Sequence, residues 1–246
     1  MRREGAMGRL IWHEIECGGY SADLPLWEEL ADQTDKPIME LGCGAGRVTL
    51  HLARRGAHPV IGLDNDPELV EAIWERQGEA MPADAELCDV RDFEFATQFS
   101  LVLAPMQLIQ LLGDSEERVA CLSCVVDNMT AGGRVALAIV EEMPAASEGA
   151  MPPLPDVREV EGRIHSSLPL EPELLGDKIL LRRLRQTVDP DGGMTEELNE
   201  IELCMLAAET LEEEALSVGL QPAGRREIPA TEAHVGSTVV LLEKEG

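Results

Sequence analysis

Residues 37–66, PIMELGCGAGRVTLHLARRGAHPVIGLDND, decide the fold. An apolar run (Ile38, Met39, Leu41) breaks into Gly42-Cys-Gly44-Ala-Gly46, continues as a helical pattern (Val48, Leu50, Leu52, Ala53), and re-emerges as a strand from Pro59 to Leu63 ending on Asp64. That succession is a βαβ unit. Glycines let the backbone turn sharply and approach a ligand, and the following helix begins with unpaired N–H groups. Asp64 lies roughly 20 residues on, where a carboxylate can accept from both hydroxyls of a ribose.

The register of the glycines narrows the ligand. A dinucleotide fingerprint needs a third small residue for close helix–strand packing. Counting from Gly42 that position is Arg47, and from Gly44 it is Thr49, so neither register fits. The pattern present is Glu40-x-Gly42-x-Gly44-x-Gly46. A carboxylate just before the first glycine repels a pyrophosphate and suits an ammonium group.

This stretch resembles the first motif of class I S-adenosylmethionine-dependent methyltransferases, and VIGLDND resembles that family's second-strand acid. The resemblance implies a doubly wound, Rossmann-like α/β fold: a seven-stranded methyltransferase sheet closed by a C-terminal antiparallel hairpin. It also implies S-adenosylmethionine as cofactor, held by Glu40, Gly42, Cys43, Gly44, Gly46, Asp64 and Asn65. Further along, Asp89 and Val90 fall where the family meets adenine with an acid and the next backbone N–H. A turn opened by Asp89 is the other reading. Ala104-Pro105 closes the apolar run Phe99–Leu103 and completes the donor site, with Met106, Gln107 and Gln110 toward the donor methionine or the acceptor.

Composition bounds the partners. The chain has 246 residues, a hydrophobic content of 44% that supports a packed core, and 47 acids against 20 bases for a net charge of −27. Such a field repels nucleic acid and anionic membrane. The 3% aromatic content argues against a surface that stacks bases. A small-molecule acceptor is therefore expected, with no nucleic acid or membrane partner. Six scattered cysteines do not form a secreted framework, and Cys121-x-x-Cys124 sits in an apolar helical run without a partner pair at zinc spacing, so core filling is expected and no metal site. The start, MRREGAMGRL, lacks a signal-peptide core, which predicts a cytoplasmic protein.

The remaining chain divides by composition. Residues 1–36 read as an N-terminal cap whose helix runs from Tyr20 to Leu30; the resemblance implies that Tyr20, like the Tyr-containing segment before the first motif in many small-molecule methyltransferases, covers the donor and lines the acceptor site, and the other reading is an anchor for the helix. Residues 37–143 form the donor-binding core, with Asp66 and Asp114 starting helices, the first to about Gly78 and the second to Ala131-Gly132-Gly133. Residues 144–206, after a Pro- and Gly-rich linker from Glu141 to Pro155, predict three antiparallel strands (163–168, 178–188, 198–206). Such an insertion is similar in layout to sugar-amine and glycine N-methyltransferases, where it caps the site or pairs subunits, so a homodimer through it is a candidate. Residues 207–246 return to the core through a capping box, Thr210-Leu-Glu-Glu213, and a strand pair.

The reaction expected is methyl transfer to a small molecule, with nitrogen slightly favoured. The catalytic candidates are Tyr20 and His165, the latter against a structural cross-strand role. Arg182, Arg183 and Arg185 invite a phosphate, but Glu196, Glu197, Glu200 and Glu202 stand opposite. Two alternatives stay open: transfer of another group from the same donor site, or a catalytically silent ligand- or partner-binding subunit.

Overall fold

The computed structural model describes residues 7–34, 36–56, 58–77, 82–143, 153–231 and 234–246. In chain order the elements are α1 (Met7–Glu16), α2 (Leu24–Ala31), β1 (Ile38–Leu41), α3 (Arg47–Arg54), β2 (Val60–Asp64), α4 (Pro67–Arg76), β3 (Ala83–Leu87), β4 (Phe99–Ala104), α5 (Leu108–Leu111), α6 (Ser115–Asp127) and β5 (Met129–Ile139). A second group follows: β6 (Asp156–Val160), β7 (Arg163–Pro169), β8 (Glu173–Leu175), β9 (Lys178–Val188) and β10 (Met194–Cys204). The chain ends with α7 (Ala208–Ser217), β11 (Leu220–Ile228) and β12 (Ser237–Lys244).

The seven-stranded sheet has the order β11-β12-β5-β4-β1-β2-β3. Its strands β5-β4-β1-β2-β3 run parallel, and β12 joins β5 antiparallel. This is the Rossmann-like methyltransferase fold. Alternation along β4 shows why its run is continuously apolar: Val102 and Ala104 enter one core layer with Leu122, Val125 and Leu211, while Leu101 and Leu103 enter the other with Trp27, Leu30 and Leu52. Helices cover both faces, so every residue of β1 is buried. On the first face, Arg118 of α6 and Glu214 of α7 form a buried two-pronged ion pair at 2.6 and 2.8 Å.

Local chemistry departs from the sequence expectation in four places. The N-terminal ten-residue helix α1 was not expected. Helix α6 stops at Asn128, whose amide donates to Cys124 O, so Gly132 and Gly133 lie within β5. No capping box forms at α7, because Thr210 is already inside the helix; the Ala208 N–H is met instead by Glu141 Oε1 at 2.9 Å. The insertion sheet gains β6 and β8, giving five strands rather than three. Asp66 and Asp114 do cap their helices, accepting from Glu68 N and Glu117 N. Gly78 and most of the 141–155 linker lie outside the described residues. No helix among the described residues is long and apolar enough to cross a membrane.

Candidate donor and acceptor site

The turn after β1 places Gly42, Gly44 and Gly46 at φ of 63°, 54° and 84°. Side chains would be strained there, and all three positions are also crowded: a Cβ on Gly42 would strike Leu108, one on Gly44 the His13 ring, and one on Gly46 Leu50 and Ile73. Gly44 N donates to Asp64 Oδ2 at 2.8 Å, and Asp66 N donates to Oδ1 at 2.9 Å. The acid at the end of β2 is thus locked to the glycine turn, at the carboxyl edge where open α/β sheets bind ligands. Beneath the turn Cys43 is buried, and it needs Gly62 of β2, where a Cβ would come within 2.6 Å of its sulfur.

Glu40 is buried, and the Thr49 hydroxyl donates to its carboxyl group. Burial lifts its carboxyl to about 8, against the pull of Thr49 and the nearby Arg47. Such a group gains most when a cation arrives beside it. Glu40, Asp64 and the glycine turn therefore fit S-adenosylmethionine, whose aminoacyl end is cationic at nitrogen and sulfur and whose ribose offers two hydroxyls.

Arg47, the first residue of α3, grips Asp23 with both guanidinium ends at 2.7 Å and donates to Tyr20 O at 3.0 Å. Its guanidinium also lies 5.2 Å from the Tyr20 ring centre. Tyr20 is thereby fixed beside the glycine turn. Its other ring contact is His234, in the loop before β12, at 4.6 Å between centres. Met106 packs on the same apolar layer as Tyr20. Met106 and Gln107, directly after Ala104-Pro105, both hold left-handed backbone (φ 51° and 60°), a conformation that non-glycine residues keep only under constraint. Gln107 Nε2 reaches Ser237 Oγ at 3.3 Å.

Other candidates fall differently. Asn65 is exposed beside Asp64, and Val90 is buried in the core. Asp89 directs its carboxylate to Arg91 at 2.6 and 2.9 Å, which holds it down to about 2, and its carbonyl accepts from Asp92 N in a turn. His165 is buried with its ring edge-on to Trp12 and its Nδ1 3.1 Å from Thr187 Oγ1, its cross-strand partner. Gln110 is committed to the backbone of Val140 and Cys204, so it faces neither donor nor acceptor.

The arginines of β9 bypass the acids of β10 in most cases. Arg185 grips Glu16 of α1 through two 2.7 Å bonds and lies 4.0 Å from Glu197, Arg183 meets Asp156 and Ser167, and Arg182 meets Glu173. The insertion sheet is thus fastened to α1, and Arg158 of β6 adds a 2.6 Å bond to Glu14. Beside them lies an open groove of about 850 Å³, lined by His13 of α1, Tyr20, Arg47 and His51 of α3, Arg76 of α4 and Asp156 of β6. His13 and His234 were not singled out from sequence as site residues. The apolar run Leu10, Ile11, Trp12, Ile15 was the overlooked signal for α1; nothing local marks either histidine's long-range contact.

Comparison with known proteins agrees with this geometry. Residues 38–133 match the family model described as a methyltransferase domain. The fold is similar to the sugar N-methyltransferase KedS8 from Streptoalloteichus sp., with TM-score 0.74 and 15% identity over 96% of this chain and 92% of that one. It is also similar to S-adenosylmethionine-bound CalS10, an amino pentose methyltransferase from Micromonospora echinaspora, with TM-score 0.68 and 18% identity over 92% and 93%. In sequence, 118 residues are 26% identical to ribosomal protein L11 methyltransferase of Paraburkholderia phymatum, spanning 45% of this chain and 34% of that protein. The chain thus matches about a third of the length of that curated relative. The domain match, the strand order and the Glu40–glycine–Asp64 cluster together make residues 38–133 a class I S-adenosylmethionine-dependent methyltransferase domain.

Proposed function

We propose that the chain moves a methyl group from S-adenosylmethionine to a small-molecule acceptor, with nitrogen the favoured atom. The observation that carries this reading is the cluster of buried Glu40, the glycine turn and Asp64 at the carboxyl edge of the sheet, beside which Tyr20, Gly46 and Arg47 line a groove of about 850 Å³, a volume suited to a small ligand. The charge balance supports it: net charge is −27, and Arg183 and Arg185 are engaged by Asp156 and Glu16, which leaves little for a polyanion to bind. The likeness in fold to sugar and glycopeptide N-methyltransferases favours nitrogen.

The donor supplies a methyl carbon on a sulfonium, already activated for displacement. The chain's contribution is alignment, since holding nucleophile and carbon in line accounts for much of the rate. Glu40 takes the donor's ammonium end, Asp64 the ribose hydroxyls, and Asp89 with the Val90 N–H the adenine. That last role requires Asp89 to turn from Arg91. Ala104 and Pro105 floor the site, and Tyr20, Met106 and Gln107 border the acceptor, their positions fixed by Arg47 and by constrained backbone.

The insertion is the acceptor-side wall and a candidate dimer surface. Its inner face carries Ser167, Arg183 and Arg185; by strand alternation its outer face carries Ile164, Met194 and Leu198, which are 45%, 58% and 51% exposed. Sedimentation of the intact protein checks the dimer. Function is tested by calorimetry with S-adenosylmethionine and S-adenosylhomocysteine, then labelled-methyl transfer to amino sugars, small amines and ribosomal protein. Binding of neither nucleoside would end the donor reading. Transfer to protein alone would replace the small-molecule acceptor, and binding without transfer to any acceptor would favour a silent subunit.

A further inference from the structure

Helix α1 is held at both ends over the donor side of the core. Near its start Arg9 pairs with Asp66 at 2.8 Å and Leu10 N donates to Glu68 Oε1 at 3.2 Å. At its end Glu16 accepts from Arg185 and from the Ser167 hydroxyl at 2.7 Å. Between these anchors the His13 ring lies with its Nε2–Cε1 edge on Gly44, the glycine whose N–H is held by Asp64. His13 Nδ1 is buried and has no hydrogen-bond partner among the described residues. Two other such atoms, Gln77 Oε1 and Arg182 Nε, lie on residues outside the glycine-turn contacts. A buried imidazole nitrogen left unpaired is costly, and the same nitrogen is a ready partner for a ligand that reaches it.

We propose that His13 is a donor-binding residue, its Nδ1 hydrogen-bonding the ribose–methionine half of S-adenosylmethionine. This assignment rests on the donor reading above and adds α1 to the site. The half of the donor concerned follows from position, since Cε1, to which Nδ1 is bonded, sits on the glycine turn beside Asp64. Imidazole suits that half because one tautomer accepts at Nδ1 and the other donates. Charge agrees: burial pulls His13 below its ordinary value, with Asp64 of β2 and Glu16 of α1 opposed by Arg47 of α3 and Arg76 of α4. A neutral ring brings no positive charge toward the sulfonium.

Three substitutions separate hydrogen bonding from packing. His13→Phe keeps the ring and removes the nitrogens; His13→Asn places a polar atom at the δ position, where Nδ1 stands; His13→Gln places it one bond further. By calorimetry, His13→Phe is expected to bind S-adenosylmethionine ~10-fold more weakly without loss of melting temperature, the size of one lost hydrogen bond. His13→Asn should recover most of that loss, and His13→Gln should not. Parent-like affinity in His13→Phe overturns the assignment, as does equal weakness in all three variants. If His13→Phe does not fold, the Asn and Gln pair decides. A parent that binds neither S-adenosylmethionine nor its demethylated product fails at the donor reading itself and takes this assignment with it. A parent that binds normally beside an unaffected His13→Phe fails here alone.

Discussion

Asp64 and Gly44, twenty residues apart, are joined by a 2.8 Å bond from the Gly44 amide to Asp64 Oδ2. The carboxylate at the end of β2 is therefore aimed before any ligand arrives. Asp64→Ala should weaken S-adenosylmethionine binding by about 1.5–3 kcal/mol, the scale of hydrogen bonds to a charged group, with the fold retained. Calorimetry beside circular dichroism checks both halves. Parent-like affinity would show that Asp64 does not hold the ribose.

Glu40 gives the protein a pH signature. Its folded-state value is raised from 4.5 to about 8, so between those limits the folded chain keeps a proton that the unfolded chain releases. Stability is accordingly fullest below 4.5 and falls as pH rises toward 8. Glu40→Gln should remove this slope: melting temperatures of variant and parent converge near the acid limit, and the variant melts higher at pH 8. Donor affinity should rise with pH in the parent, as Glu40 ionises beside the donor's cationic end, and stay flat in the variant.

The Arg118–Glu214 pair tests the opposite face of the sheet. Both side chains are buried, so Glu214→Ala leaves an uncompensated guanidinium and should cost about 3–5 kcal/mol in urea unfolding. Replacing the pair with Met and Leu should recover most of that loss. Donor affinity should not change in either variant, because α6 and α7 lie away from the glycine turn.

Deleting residues 163–203 behind a short linker removes Ser167, Arg183 and Arg185, the groups that fasten Glu16. Acceptor turnover should be lost and the amides of α1 should exchange faster. Donor binding should weaken yet remain measurable, as the glycine turn and Asp64 stay in place. Full turnover in the deletion variant would place the acceptor elsewhere.

The parts of the molecule legible from sequence are those where local chemistry and global position coincide. Glu40, the three glycines and Asp64 could be read because a turn, a strand end and a carboxylate fall at fixed offsets in one βαβ unit. Asp66 and Asp114 could be read because capping is a matter of two or three residues. Thr210 misled for the complementary reason: its spacing fits a capping box, but a carboxylate from residue 141 already meets the helix start. Arg185 was set against the acids of β10 by strand register, and Glu16, 169 positions away, takes it instead. His13 over Gly44 and His234 against Tyr20 are contacts between distant segments, and no period or spacing encodes them.

The Gln110 side chain has a consequence for how this molecule can change. Its oxygen accepts from Val140 N at 2.7 Å, while its nitrogen donates to Val140 O at 3.0 Å and Cys204 O at 2.8 Å. Val140 is where the chain leaves the large sheet, and Cys204 is where it comes back. One amide therefore pins departure and return side by side, as a clasp closes a necklace, and the sheet strung between them is tied a second time where Arg158, Ser167 and Arg185 meet α1. The insertion can be lengthened or reshaped at its free edge without disturbing the strands of the large sheet, provided that Glu14 and Glu16 keep their arginines, so variation is channelled to the pendant and away from the chain that bears it.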